Sequence, residues 1–115
     1  MSLDVYLKFE IDTGGKPFDA EVFSANYTHN CNTMAEAAGI YKYVWRPDEC
    51  PDVKCAGDLI VPLQRGINEM VSNPAKYIAM NPPNGWGSYE TFLPWLQNYR
   101  QACVDYPKAQ VGVCR

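Results

Sequence analysis

Long apolar runs and basic runs are both missing from this sequence, and each absence excludes a class of protein. No stretch approaches the roughly 20 apolar residues that a membrane-spanning helix needs. Residues 1–11 alternate apolar and polar side chains, whereas a secretory signal needs a continuous apolar block. No Lys/Arg-rich run is present and the net charge is −3, which disfavours a surface built on nucleic-acid phosphates. We therefore expect a cytoplasmic protein that binds neither membrane nor nucleic acid.

Histidine is scarce and the cysteines are odd in number, which limits metal and disulfide chemistry. The five cysteines are irregularly spaced: Cys31, Cys50, Cys55, Cys103 and Cys114. Without an export signal we expect no disulfide framework, although a local Cys50–Cys55 bridge stays open under oxidising conditions. The single histidine, His29, is separated by one residue from Cys31, which is an awkward chelate for zinc. We therefore predict no metal site and no cofactor.

The chain is long enough for one domain, and its two ends carry the patterns of strands. It has 115 residues of which 47% are hydrophobic, so residues 1–115 can bury a core without metal or disulfides. Apolar side chains alternate with polar ones over residues 5–11 and again over residues 18–23, and residues 13–17 form a turn. These segments predict an antiparallel hairpin, and residues 109–113 predict a closing strand.

Helical patterns fill the middle of the chain. Thr33 and Glu36 have the spacing of a capping box, and Gly39 would stop that helix. Further helices are predicted over residues 40–45, 58–71, 75–80 and, after the N-cap Ser88, to about residue 106. The order predicts an α+β fold, a three-stranded antiparallel sheet (N-terminal hairpin plus C-terminal strand) with helices packed on one face. The first strand would be central, with its charged face left to solvent or to a partner.

Two polar stretches are candidates for a site. The first is dense in amides and hydroxyls: Asn26, Thr28, His29, Asn30, Asn32 and Thr33. Such residues favour turns and caps for their own backbone, so a structural role is one reading. The other reading is that the junction presents donors and acceptors to a small polar ligand. His29 would be the acid or base if the protein were an enzyme, but no nucleophile or carboxylate adjoins it in sequence.

The second stretch is the loop before the last helix, with Asn84, Gly85, Trp86, Gly87 and Ser88 as candidate ligand-binding residues. The amides of the following helix could meet an anion, and Trp86 could stack on a nucleobase. Alternatively, Trp86 fills the core and the glycines permit a tight approach. No phosphate-binding or dinucleotide motif decides between the two.

Several strings of this chain are distinctive: ANYTHN at residues 25–30 and NPPNGWGSY at residues 81–89, with AGIY, WRPDE and the closing VCR between and after them. Together they resemble a family of small, uncharacterised proteins encoded by bacteriophages and prophages. In that family Ser usually replaces Cys114, and some members have Ser in place of His29. The resemblance implies a phage origin and a role in the host cell, but no reaction.

Taken together, these patterns favour a non-catalytic phage-type accessory protein that binds a host protein or a small anionic, nucleotide-like ligand. The alternatives are a small enzyme using His29 and a structural component of the virion or its assembly. Trp45 and Arg46 are candidates for a protein interface, since Trp and Arg often dominate such contacts. Assembly into a homo-oligomer also stays open.

Overall fold

A computed structural model describes residues 2–115 and shows a three-stranded antiparallel sheet with helices. The strands are β1 (Ser2–Ile11), β2 (Phe18–Thr28) and β3 (Gln110–Cys114), in the order β2-β1-β3. The α-helices are α1 (Asn32–Ala37), α2 (Tyr41–Trp45), α3 (Ile60–Ser72), α4 (Pro74–Ile78) and α5 (Tyr89–Asp105). The predicted α+β class and the central position of the first strand are confirmed.

One face of the sheet carries the core. Leu3, Val5 and Leu7 on β1 are fully buried, while the side chains between them reach solvent to different degrees. Along α5 the buried stripe is Phe92, Leu96, Tyr99 and Cys103, as the helical spacing predicts. The helices bury this apolar face, which is the main source of stability. None of the helices described in residues 2–115 is long and apolar enough to cross a membrane.

Strand β2 is longer than predicted, because it continues into the first polar stretch as far as Thr28. Residues 24–28 pair with the start of β1, in a register that joins Thr28 to Ser2 and Asn26 to Asp4. Tyr27 points inward and is buried, whereas Asn26 is exposed. Asn26 and Thr28 thus lie on the outward face of the strand, where the alternation of inward and outward residues continues.

The helix ends follow the sequence except at Thr33. Gly39 takes a φ of 77° after α1, and Ser88 caps α5 by accepting from the amide of Thr91. The predicted capping box at Thr33 is wrong, because α1 begins at Asn32 directly after a 3₁₀ turn, His29–Cys31. Thr28 caps that turn instead, with its hydroxyl accepting from the amide of Asn30.

Candidate functional site

The two polar stretches meet at a cavity of about 740 Å³. Its lining residues are Ser2, Asn26, Tyr27, Thr28, His29, Asn30 and Trp86. Four predicted residues from the first stretch therefore share one cavity with Trp86 from the second. The volume is within the range of small-molecule sites.

Tyr27 links the two stretches. Its hydroxyl lies 2.8 Å from Oγ1 of Thr91, accepts from the amide of Ser88 at 3.2 Å and lies 3.2 Å from the carbonyl of Ser88. The ring packs against Phe92 and Trp95, with centroid distances of 5.0 and 5.5 Å. Burial raises the pKa of Tyr27 to about 12. The prediction of site residues missed Tyr27, although its inward parity on an extended β2 was the signal that could have found it.

Gly87 lets the loop approach β2 closely. Its φ is +87°, and a Cβ built there would lie 2.7 Å from Cγ2 of Thr28 and 3.1 Å from Sγ of Cys31. Gly85 also has a positive φ, of 74°, but a Cβ there would meet nothing within 4 Å. Asn84 accepts from the amide of Trp86 at 3.0 Å, which closes a local turn. Of the predicted loop residues, Trp86 alone lines the cavity. The others determine the conformation of the loop: Asn84, Gly85, Gly87 and Ser88.

Trp86 lines the cavity without being part of the core. Its side chain is 70% exposed, which is the largest exposure among the exposed large hydrophobic side chains of residues 2–115. The alternative in which Trp86 fills the core is therefore wrong. An exposed indole beside a cavity offers a flat face on which a ring can stack.

His29 is held by a buried tryptophan. Nε1 of Trp45 donates to Nδ1 of His29 at 2.8 Å. Because an indole N–H can only donate, Nδ1 must carry a lone pair, and the neutral imidazole has its proton on Nε2. The ring thus presents an N–H donor and is fixed in orientation by its neighbour.

The predicted interface at Trp45 is wrong. Trp45 is 1% exposed and stacks on Tyr41 at 5.5 Å, because its indole is part of the core beside His29. Arg46 is half-buried and pairs with Glu49 at 2.7 Å. A buried indole cannot supply contact area to a protein partner. The side chain of Arg46 is 43% exposed, so a role of Arg46 alone in an interface stays a prediction.

Other polar groups of the site are partly used by the protein itself. The side-chain amide nitrogen of Asn26 donates to Oγ of Ser2 at 2.9 Å and to Oδ1 of Asp4 at 2.8 Å. Its two N–H donors are therefore occupied within the sheet, which leaves its carbonyl oxygen as an acceptor. Thr28 accepts from the amide of Asn30 and keeps its hydroxyl proton for another partner.

Several backbone amides at the start of α5 are also bonded within the protein. The amide of Tyr89 donates to Oδ1 of Asn81 at 2.7 Å, and the amide of Thr91 donates to Oγ of Ser88 at 3.2 Å. The amide of Ser88 donates to Tyr27. Three of the amides that were expected to meet an anion, those of Ser88, Tyr89 and Thr91, therefore already have partners.

The thiols make local contacts. The Cys50 thiol donates to the carbonyls of Arg46 and Lys42, and Cys55 lies 3.7 Å from Oδ2 of Asp58. Cys50 and Cys55 are both free, so the structure contains no bridge between them. Within residues 2–115, no group of three His, Cys, Asp or Glu side chains could hold a metal ion.

Comparison with known proteins adds no family. Searches of protein-family models, of curated proteins and of solved structures find no match to this chain. The resemblance to phage-encoded proteins stays a prediction. The function must therefore be argued from the geometry of the cavity.

Proposed function

We propose that the protein is a non-catalytic binding protein, and that its ligand carries a flat, hydrogen-bonding ring of the nucleobase type. The observation that carries this proposal is the position of Trp86. Its indole is 70% exposed and lines the same cavity as His29, Asn30 and Thr28. With the resemblance to phage-encoded proteins, we further propose that the ligand is met inside a host cell.

Stacking supplies the affinity in this proposal. A base stacked on an aromatic side chain contributes about 1–3 kcal/mol. The loop is fixed by the hydrogen bond from the backbone amide of Trp86 to Oδ1 of Asn84 and by the close approach of Gly87 to Thr28. Less conformational freedom is therefore lost on binding. Hydrogen bonds from His29 and Asn30 would then set the orientation of the ring.

The geometry disfavours the enzyme that uses His29 as a base. Nδ1 accepts from Trp45, so the neutral ring has its proton on Nε2 and lacks a free lone pair for a substrate proton. The seven lining residues include no carboxylate, Cys or Lys. A hydrogen-bond donor to a bound ligand is the role that fits this imidazole.

A calorimetric titration tests the proposal. The probes are a panel of free nucleobases, nucleosides and nucleotides, first screened by thermal shift, because binding raises the unfolding midpoint by mass action. Trp86→Ala should weaken binding of any hit by about 5- to 150-fold through lost stacking. Binding that survives Trp86→Ala unchanged would remove the basis of the proposal.

The matched control is Phe18→Ala. Phe18 is another exposed aromatic, at 59%, but it pairs with Ile11 at the far end of the hairpin. The Ser2–Thr28 pair lies roughly 30 Å away along the strands, at a rise of about 3.3 Å per residue. We expect Phe18→Ala to bind as the wild type does.

A host protein that inserts a side chain into the cavity is the second candidate. The exposure of Trp86 favours it too, because Trp is enriched among residues that dominate protein interfaces. In that case the small-molecule panel would give no hit. A purified host protein would bind the wild type and Phe18→Ala but not Trp86→Ala.

A further inference from the structure

The chemistry left open at the cavity restricts the class of ligand. Resting on the proposed function, we propose that the site selects an uncharged ring that presents hydrogen-bond acceptors, such as a nucleobase or a nucleoside. A phosphate group attached to that ring would gain no contact of its own. The nucleoside, and not the nucleotide, is then the species that the site recognises.

Among the described residues, the charged groups at the cavity do not favour an anion. None of the seven lining residues is Lys or Arg. The charged group bonded to the lining is the carboxylate of Asp4, which accepts from Asn26 at 2.8 Å. A phosphate at this edge would face a negative charge, so attraction of the kind that recognises nucleotides is missing from the lining.

Several uncharged donors that could replace a cation are occupied as well. Asn26 donates to Ser2 and Asp4, and the amides of Ser88 and Tyr89 donate to Tyr27 and to the side chain of Asn81. A phosphate bound by the start of α5 would have to displace these bonds. These bonds are part of the fold, so an anion at the helix start would compete with them for the amides of Ser88 and Tyr89.

The remaining groups match the edge of a neutral ring. His29 offers Nε2–H, since Nδ1 is held by Trp45, and Thr28 has a hydroxyl proton to donate. Asn30 adds an exposed side-chain amide to the same wall. Ring carbonyls and ring nitrogens, which accept without carrying a charge, are suited to such a set of donors.

The experiment compares matched pairs by calorimetric titration. The probes are uridine with its 5′-monophosphate and guanosine with its 5′-monophosphate, at about 50 and 300 mM salt. We expect at least one nucleoside to bind, with its monophosphate no more than about threefold tighter at either salt concentration. The affinity of the nucleoside should be independent of salt, because screening acts on charges.

Variants of His29 test whether its imidazole donates a hydrogen bond to the bound ring. His29→Phe should weaken nucleoside binding by about tenfold, and His29→Gln, which keeps an N–H donor, should restore part of that affinity. Equal affinity in wild type and His29→Phe would overturn the assignment of the donor.

The outcomes separate this inference from the function on which it rests. A monophosphate bound about tenfold tighter than its nucleoside, with an affinity that falls with salt, would overturn the uncharged class but keep the binding site. If none of the four probes binds and the wider panel also gives no hit, the proposed function itself fails.

Discussion

Gly87 is the residue at which the architecture of the site can be tested most directly. Alanine there has to adopt a φ of +87° and place its Cβ 2.7 Å from Thr28, 3.1 Å from Cys31 and 3.2 Å from the Tyr27 hydroxyl. A left-handed conformation destabilises a non-glycine residue by about 1–2 kcal/mol. Overpacking adds about 1–3 kcal/mol, because β2 and the loop must separate. Gly87→Ala should therefore lower the free energy of unfolding by about 2–5 kcal/mol.

Gly85 is the internal control, because it has a similar φ and no neighbour within 4 Å of an added Cβ. Gly85→Ala should lower the free energy of unfolding by about 1–2 kcal/mol through its backbone conformation alone. Asparagine tolerates the left-handed region better than alanine does, so Gly85→Asn should recover most of that loss. Gly87→Asn should stay as destabilised as Gly87→Ala, because the steric conflict remains.

Urea unfolding and thermal melts of the four variants give the comparison. The midpoint should fall by about 4 °C for each kcal/mol in a chain of this length, hence by roughly 8–20 °C for Gly87→Ala. Ligand affinity should fall with it, since the shift moves Trp86 relative to His29. Equal losses for the two alanine variants, or recovery in Gly87→Asn, would refute the close approach of the loop to β2.

Three further changes test the packing and protonation behind the site. Trp45→Phe keeps a buried ring but removes the donor to the imidazole, so calorimetric affinity should fall about threefold to tenfold. In Gly66→Ala the new Cβ would clash with Cγ2 of Ile40, so the free energy of unfolding measured in urea should fall by about 1–3 kcal/mol. When Gly66→Ala is combined with Ile40→Ala, the loss should be smaller than the sum of the two single losses. Burial raises the pKa of Tyr27 and of Cys103 to about 12, from 10.0 and 9.0. Between about pH 9 and 12 the folded state keeps the Tyr27 and Cys103 protons that the unfolded chain loses, so the free energy of unfolding should decrease as the pH rises through this range. Urea unfolding midpoints measured at pH 8 and 11 would show the decrease.

Each of these expectations has an outcome that contradicts it. Unchanged affinity in Trp45→Phe would mean that the indole does not orient His29. Strictly additive losses for Gly66→Ala and Ile40→Ala would mean that the two residues are not in contact. Equal urea midpoints at pH 8 and 11 would contradict the burial of the Tyr27 hydroxyl and the Cys103 thiol.

The parts of the fold that the sequence predicts are those governed by local patterns. Alternation along β1, the φ of Gly39 and the cap at Ser88 depend on neighbours in the chain, and each is as predicted. The extension of β2 through Thr28 was missed because its outward residues are those that usually mark a loop. The cap at Thr33 failed because Thr28, five residues earlier, had already capped the preceding turn.

Burial and long-range bonds account for what could not be predicted of the site. Trp45 and Trp86 are the same type of residue, yet Trp45 is 1% exposed and Trp86 is 70% exposed. That difference depends on which parts of the fold pack against each indole, and no local sequence pattern encodes it. The bond between Tyr27 and Ser88 spans 61 positions, so the link that closes the cavity wall is visible only in the fold.

Under the proposed function, folding and ligand choice would be coupled at this cavity, because the hydrogen bonds that build its wall also occupy groups that could bind a ligand. The hydroxyl of Tyr27 accepts from the amide of Ser88, and the side chain of Asn81 accepts from the amide of Tyr89. The indole N–H of Trp45 donates to the lone pair on Nδ1 of His29. Several groups that could hold an anion or accept a proton are thereby used in the structure, while His29, with a proton on Nε2, and the exposed Trp86 line the cavity. A wall that already contains its own hydrogen bonds has little to rearrange when a ring enters. Selectivity for a flat, neutral ligand would then follow from the same contacts that make the loop and β2 one rigid unit.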